Sequence, residues 1–194
     1  MMDSTQNISD IVREIKQSFN SYKNGVVAQS MRDKGVSYHV NWGVSITDLQ
    51  HIASRYEADR ALARSLWTNN VRECQIIALM LMPPEDITSE DVEAVMSRLH
   101  TTELAELAAF LLFQHVNQKA NIALDNINSA DTYRKLCAFH IILRAIRQGC
   151  NLTQEQRATI KWVSRQVLDD GDNAIFSLRK VAIACLQELS DDNF

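Results

Sequence analysis

Apolar residues recur every three to four positions along almost the whole chain. Ile8, Ile11, Val12, Ile15 and Phe19 place one apolar stripe on a first helix. Asn24-Gly25 breaks it, a shorter helix follows and ends near Gly35, and 36–44 reads as a loop. Ser45 with Asp48 three residues on resembles a capping box, with Asp in place of the usual Glu. Behind it Ile46, Leu49, Ile52, Ala53 and Tyr56 make the next stripe. Asp59 caps a helix carrying Leu62, Ala63, Leu66 and Trp67. Asn69-Asn70 separates that helix from 71–81, which is apolar on most sides and is therefore predicted to be central. Pro83-Pro84 stops it, because proline lacks the N–H donor and its ring blocks the turn.

The second half has the same rhythm. Thr88 with Asp91 makes another cap, with Val92, Val95, Met96 and Leu99 behind it. Thr101 or Thr102 starts the next helix, with Leu104, Leu107, Ala108, Leu111 and Leu112 predicted inward. A helix over 119–127 follows, then a long one from the Asp131 cap to Gly149. Two more run from Thr153 to Asp169-Asp170-Gly171 and from about Asn173 to Leu189. No stretch alternates with period two between turn signals, so no sheet is predicted. Such helices, joined by short loops, give a bundle or an α-solenoid. Pairing that restarts every roughly 35–45 residues suits HEAT-like repeats, although periodicity alone leaves both architectures open.

Composition agrees with long helices: five Gly and two Pro in 194 residues leave few breakers. With 46% hydrophobic and 23% charged residues the chain reads as an ordinary soluble protein. No apolar run approaches the roughly 20 residues that span a bilayer. The start, Met1 to Asn7, has neither the basic nor the apolar region of a secretory signal, so a cytoplasmic protein without membrane contact is expected. Cys74, Cys137 and Cys185 sit in apolar helical patterns and read as small core residues. Cys150 follows Gly149 at a helix end, and free thiols suit a reducing compartment.

Charge changes the picture more. Net charge is -4, yet it is unevenly spread. From Pro84 to Asp131 nine acids face two bases; from Thr132 to Lys180 nine bases face four acids. An acidic middle and a basic last third allow one basic face, with solvated helix surfaces as the plainer alternative.

Several motifs in order carry a resemblance. They are Gly43-Val44-Ser45, the pair Leu66-Trp67, and the helix opening Arg72-Glu73 and running through Ile77-Ala78. The acidic Thr88-x-x-Asp91 helix and the basic Leu178-Arg179-Lys180 follow. Together they resemble the bacterial DNA alkylation repair proteins of the AlkD-like type, HEAT-like repeat DNA glycosylases, over most of the chain after Met31. The resemblance implies an all-α superhelix of HEAT-like helical repeats. On that reading 1–194 is a single repeat domain, with N-terminal helices in 1–35 and a repeat core in 45–189.

The resemblance also implies a chemistry: excision of cationic alkylated purines through an oxocarbenium-like sugar. A carboxylate stabilises that charge, aromatic rings attract the cation, and a basic concave face holds the phosphates. The family's active helix opens Ser-Trp-Asp-x-x-Asp, where this chain has Thr101-Thr102-Glu103-Leu104-Ala105-Glu106. Thr102 stands in the tryptophan's place and Glu106 in the catalytic aspartate's. An arginine's place falls on Leu136 and a second tryptophan's on Ala184. Glu106 is the one catalytic candidate, with a solvent-facing carboxylate in a helix's first turns as its plainer reading.

Candidate binding residues for DNA or another partner are Trp42, Thr102, Arg144, Arg147, Lys161, Arg165, Arg179 and Lys180. Trp42 lies in a polar loop, Trp67 reads as core, and Trp162 as partly exposed. His39, His51, His100, His115 and His140 show no metal-ligand spacing, and neither a metal nor another cofactor is expected. The expected function is that of a diverged, non-catalytic relative binding nucleic acid or protein on its concave face. The alternative is an active alkylpurine glycosylase using Glu106.

Overall fold

The computed structural model describes residues 7–191, so the reading of the chain's first six residues lies outside what is described, as do 192–194. Among the described residues the fold is helical throughout, without a strand; one isolated bridge joins Val40 and Val71. Two compact units divide the chain, Met1–Ile87 and Thr88–Phe194. The boundary follows the proline stop and precedes the Thr88 cap.

The first unit holds α1 (Ile8–Ser18), α2 (Gly25–Asp33), α3 (Ile46–Ala53), α4 (Arg60–Trp67) and α5 (Arg72–Leu81). α5 packs against both α3 and α4, and α4 against α1. Hence α5 is buried on nearly every side, as its apolar pattern predicts, and Trp67 is core. Asn7, Asn24, Ser45 and Asp59 each accept a hydrogen bond from the backbone N–H groups of the helix they open. At Ser45 the expected reciprocal box is incomplete: the Asp48 carboxylate accepts from the Ser45 hydroxyl at 2.7 Å rather than reaching the backbone. Asn24-Gly25 acts as the start of α2 rather than only as a break.

α5 buries the two charged residues at its start, Arg72 and Glu73. Glu73 Oε1 accepts from the N–H of Trp42 at 3.1 Å and of Val44 at 3.3 Å, while Arg72 Nη1 donates to the Val44 carbonyl at 2.9 Å. The two side chains pair at 3.2 Å. Between the two clamped amides lies Gly43, at φ +72°, where an added Cβ would stand 2.1 Å from the Asn24 carbonyl oxygen. Only glycine accepts both that conformation and that approach.

The second unit holds α6 (Ser89–Met96), α7 (Thr102–Leu107), α8 (Lys119–Asn126), α9 (Thr132–Arg147), α10 (Gln154–Asp169) and α11 (Phe176–Asp191). α9 packs against α7, α8 and α11, and α11 also against α10. Chain-adjacent helices therefore pack as pairs, α4 with α5, α8 with α9 and α10 with α11, as expected of HEAT-like repeats. Thr88 with Asp91 and Thr153 with Gln156 form complete capping boxes. Cys74, Cys137 and Cys185 are buried; desolvation raises their thiols, Cys74 and Cys185 to about 12, so they pack rather than react.

Two expectations need correction. Leu107 and Leu111 are only half-buried, and after Leu107 the helix passes into a π-helical turn over Ala108–Leu112 that shifts the register beyond it. Ala105, Ala109 and Phe113 face the core in their place, and Phe110 is turned out. The last helix begins at Phe176 rather than Asn173, because Gly171–Asn173 closes a 3-10 turn first.

Candidate functional site

Within the second unit, α7, α9 and α11 border an open cavity of about 450 Å³. Thr101 sets one wall: its side chain caps α7 by accepting from the Leu104 N–H at 3.1 Å, which places Thr102 first in the helix and Glu106 one turn later. α9 contributes His140, Leu143 and Arg147, spaced three and four apart and hence on one face. α11 contributes Phe176, Lys180 and Ala184 at intervals of four, with Ser177 and Val181 beside them.

Glu106 is the acid of this cavity, with its side chain 46% exposed. Its Oε1 lies 3.6 Å from His140 Nε2, an ion-pair contact longer than a hydrogen bond. The Glu106 carboxyl titrates below its ordinary value. Contact with the His140 side chain lowers it most, desolvation works against this, and charges on His140, Arg144 and Lys180 lower it further. Glu106 is thus an ionised carboxylate at neutral pH, suited to an electrostatic role and not to donating a proton.

The cations are distributed unevenly. Arg147 donates from Nε to Glu188 at 2.7 Å and still lines the cavity. Arg144 lies over the Phe110 ring, 5.1 Å from its centroid, and desolvation is the first cause that lowers its pKa. Lys180 is exposed at the cavity. Lys161, Arg165 and Arg179 do not line it; Lys161 and Arg165 are carried by α10, and Arg179 pairs with Asp172 at 3.4 Å.

Thr102 is half-buried outside the lining, and Leu136 is fully buried on α9. Ala184 does line the cavity. Trp42 belongs to the first unit, where it is half-buried and borders a shallow cleft with Arg13, Lys16 and Asn20 of its α1 region. Trp162 is 57% exposed and borders a separate cleft with Lys135 and Gln166.

Sequence reasoning missed His140 and Phe176. His140 shows no metal-ligand spacing, yet it shares a helical face with Arg147. Phe176 stands one turn before Lys180 at the basic start of α11, a spacing that could have flagged it. Among the described residues no group of three or more His, Cys, Asp or Glu is arranged to hold a metal ion. No described helix is long and apolar enough to cross a membrane.

With this geometry in hand, three comparisons bear on it. The family model for the DNA alkylation repair enzyme matches residues 15–190. No curated protein matches the chain. Among solved structures, the chain is similar to a protein of a family related to the HEAT-like repeat DNA glycosylases, with affinity for branched DNA structures. That match has a TM-score of 0.76 at 12% identity and covers 92% of this chain and 75% of the other.

Proposed function

This chain belongs to the DNA alkylation repair enzyme family, and from that premise we propose that it binds DNA through its second unit without excising bases. The observation that carries the reading is the charge around Glu106. Excision of a cationic purine needs a carboxylate whose field is free to meet a developing oxocarbenium ion. Here His140, Arg144 and Lys180 already act on that carboxylate. Arg144 and Lys180, which oppose a second positive charge there, also attract phosphate.

The missing groups argue the same way. The resemblance implies tryptophans where Thr102 and Ala184 stand and an arginine where Leu136 stands. If each contributed about 1 kcal/mol to the transition state, losing three would slow excision roughly a hundredfold or more. The structural relative's affinity for branched DNA makes branched DNA the first ligand to try.

The alternative, a working alkylpurine glycosylase, draws support from one observation: Glu106 is ionised and half-exposed inside a cavity. Incubation with methylated duplex DNA separates the two. The expected result is no release of alkylated purine above the spontaneous rate; release that disappears in Glu106→Gln would overturn the non-catalytic reading. A salt titration of DNA affinity tests binding itself, since each neutralised phosphate adds about 0.9 to the slope. Absence of binding at low salt would leave a protein as the partner.

A further inference from the structure

The cavity beside Glu106 has one wall that neither the fold nor the charge cluster requires. Phe176 is 74% exposed, although a phenylalanine gains free energy by leaving water. It is the first residue of α11, with Lys180 one turn on and Ala184 a turn beyond, all bordering the same cavity. The small Ala184 leaves room at the far end of that face. The volume of about 450 Å³ lies in the range of sites that hold small organic groups, roughly 300–1,000 Å³.

An exposed ring beside cations suits one class of ligand. Every nucleobase has a π-face that stacks on an aromatic ring, and its flanking phosphates seek positive charge. In a continuous duplex each base is already stacked on both faces and offers the ring nothing. At a branch point or an unpaired end, one face is open. Resting on the reading that this chain binds DNA, we propose that the cavity receives one unstacked nucleobase at a DNA branch. The base stacks on Phe176, while Lys180 and Arg147 hold the phosphates on either side. Glu106 and His140 then meet the edge of the base, where a carboxylate and an imidazole offer hydrogen-bonding groups. Phe176 thus sets the preference for branched over continuous DNA, and the basic residues set affinity for both.

The experiment places 2-aminopurine at the branch point of a three-way junction and, separately, inside a continuous duplex. Fluorescence and affinity are read for the full chain and for Phe176→Ala, Phe176→Trp and Phe176→Leu. Because Phe176 is exposed, these variants should fold, which circular dichroism checks. The expected result is a fluorescence change on the junction only. Phe176→Ala should abolish it and weaken junction binding roughly 5- to 100-fold, with duplex binding little altered. Phe176→Trp should retain both, and Phe176→Leu should not. Junction affinity and fluorescence unchanged in Phe176→Ala, while Lys180→Ala still weakens binding, would overturn the stacking site and leave DNA binding intact. A wild-type chain that binds no junction DNA at low salt would overturn the DNA-binding reading first and the stacking site with it.

Discussion

Glu73 in α5 and Glu106 in α7 are both helix carboxylates beside a basic side chain, and their surroundings set them to different tasks. Glu73 is wholly buried, with Arg72 and two backbone N–H groups as its partners. Glu106 is half-exposed, holds His140 at 3.6 Å and opens into a cavity. Burying a charge is costly unless it is paired. Glu73 gathers its partners at one oxygen, Oε1, fixing the backbone from Trp42 to Val44, while its buried Oε2 has no hydrogen-bond partner among the described residues. A half-exposed carboxylate has no such obligation and can meet a ligand. The same chemical group reads as structural or functional according to the water left around it.

Removing one partner from the buried pair gives the largest expected effect. Glu73→Ala leaves Arg72 buried without its carboxylate and frees two backbone amides, and should cost about 3–5 kcal/mol in a denaturant melt. Gly43→Ala should follow, at about 2 kcal/mol or more, because it meets both a left-handed φ and the Asn24 carbonyl. A loss below about 0.5 kcal/mol in either, on the order of an ordinary surface change, would break the contrast between the two regions.

The second region should respond in binding rather than in stability. Lys180→Ala should lower DNA affinity by roughly tenfold at low salt and reduce the salt slope by about 0.9, with little change in melting. An unchanged slope would remove Lys180 from the phosphate contacts.

The pH behaviour sharpens the same contrast. The folded pKa of Glu106 is depressed, so its stabilising contribution is present above the ordinary carboxylate value, about 4.3. That contribution is lost as pH falls through the lower folded value. His140→Ala removes the largest cause, so the Glu106 titration midpoint should rise, read by carboxyl carbon NMR. A midpoint that stays put or falls would contradict the pairing.

The smallest effect belongs to an exposed pair. Arg134 grips Glu93 with both guanidinium amines and lowers its carboxyl, yet Glu93→Ala should cost under about 1 kcal/mol, because water screens the pair.

Much of the fold was legible in the residues because its signals are local. Ser45, Asp59, Thr88, Asp131 and Thr153 all cap the helices they were expected to open, and of Thr101 and Thr102 it is Thr101 that caps, since a cap needs only its own next three residues. The burial of α5 followed from an apolar run too wide for one face. The π-helical turn at Ala108–Leu112 was not legible, because one extra residue in a turn leaves no mark in a three-to-four pattern.

For the site, the sequence named Glu106, Arg147 and Lys180, which come together in one cavity. It also named Lys161, Arg165 and Arg179, which do not line that cavity, because charge along a chain carries no direction around a helix.

The sequence by itself determined the helical class, the helix starts and the packing cysteines, and an ordered set of motifs pointed to the family. Each is written in neighbouring residues or in an ordered set of motifs. Only the tertiary structure decided that His140 meets Glu106, that Phe176 borders the same cavity, and that Glu73 clamps the Trp42 loop. Those residues lie 29 to 70 positions apart, from Glu73 and Val44 at the near end to Phe176 and Glu106 at the far end, where no local pattern reaches.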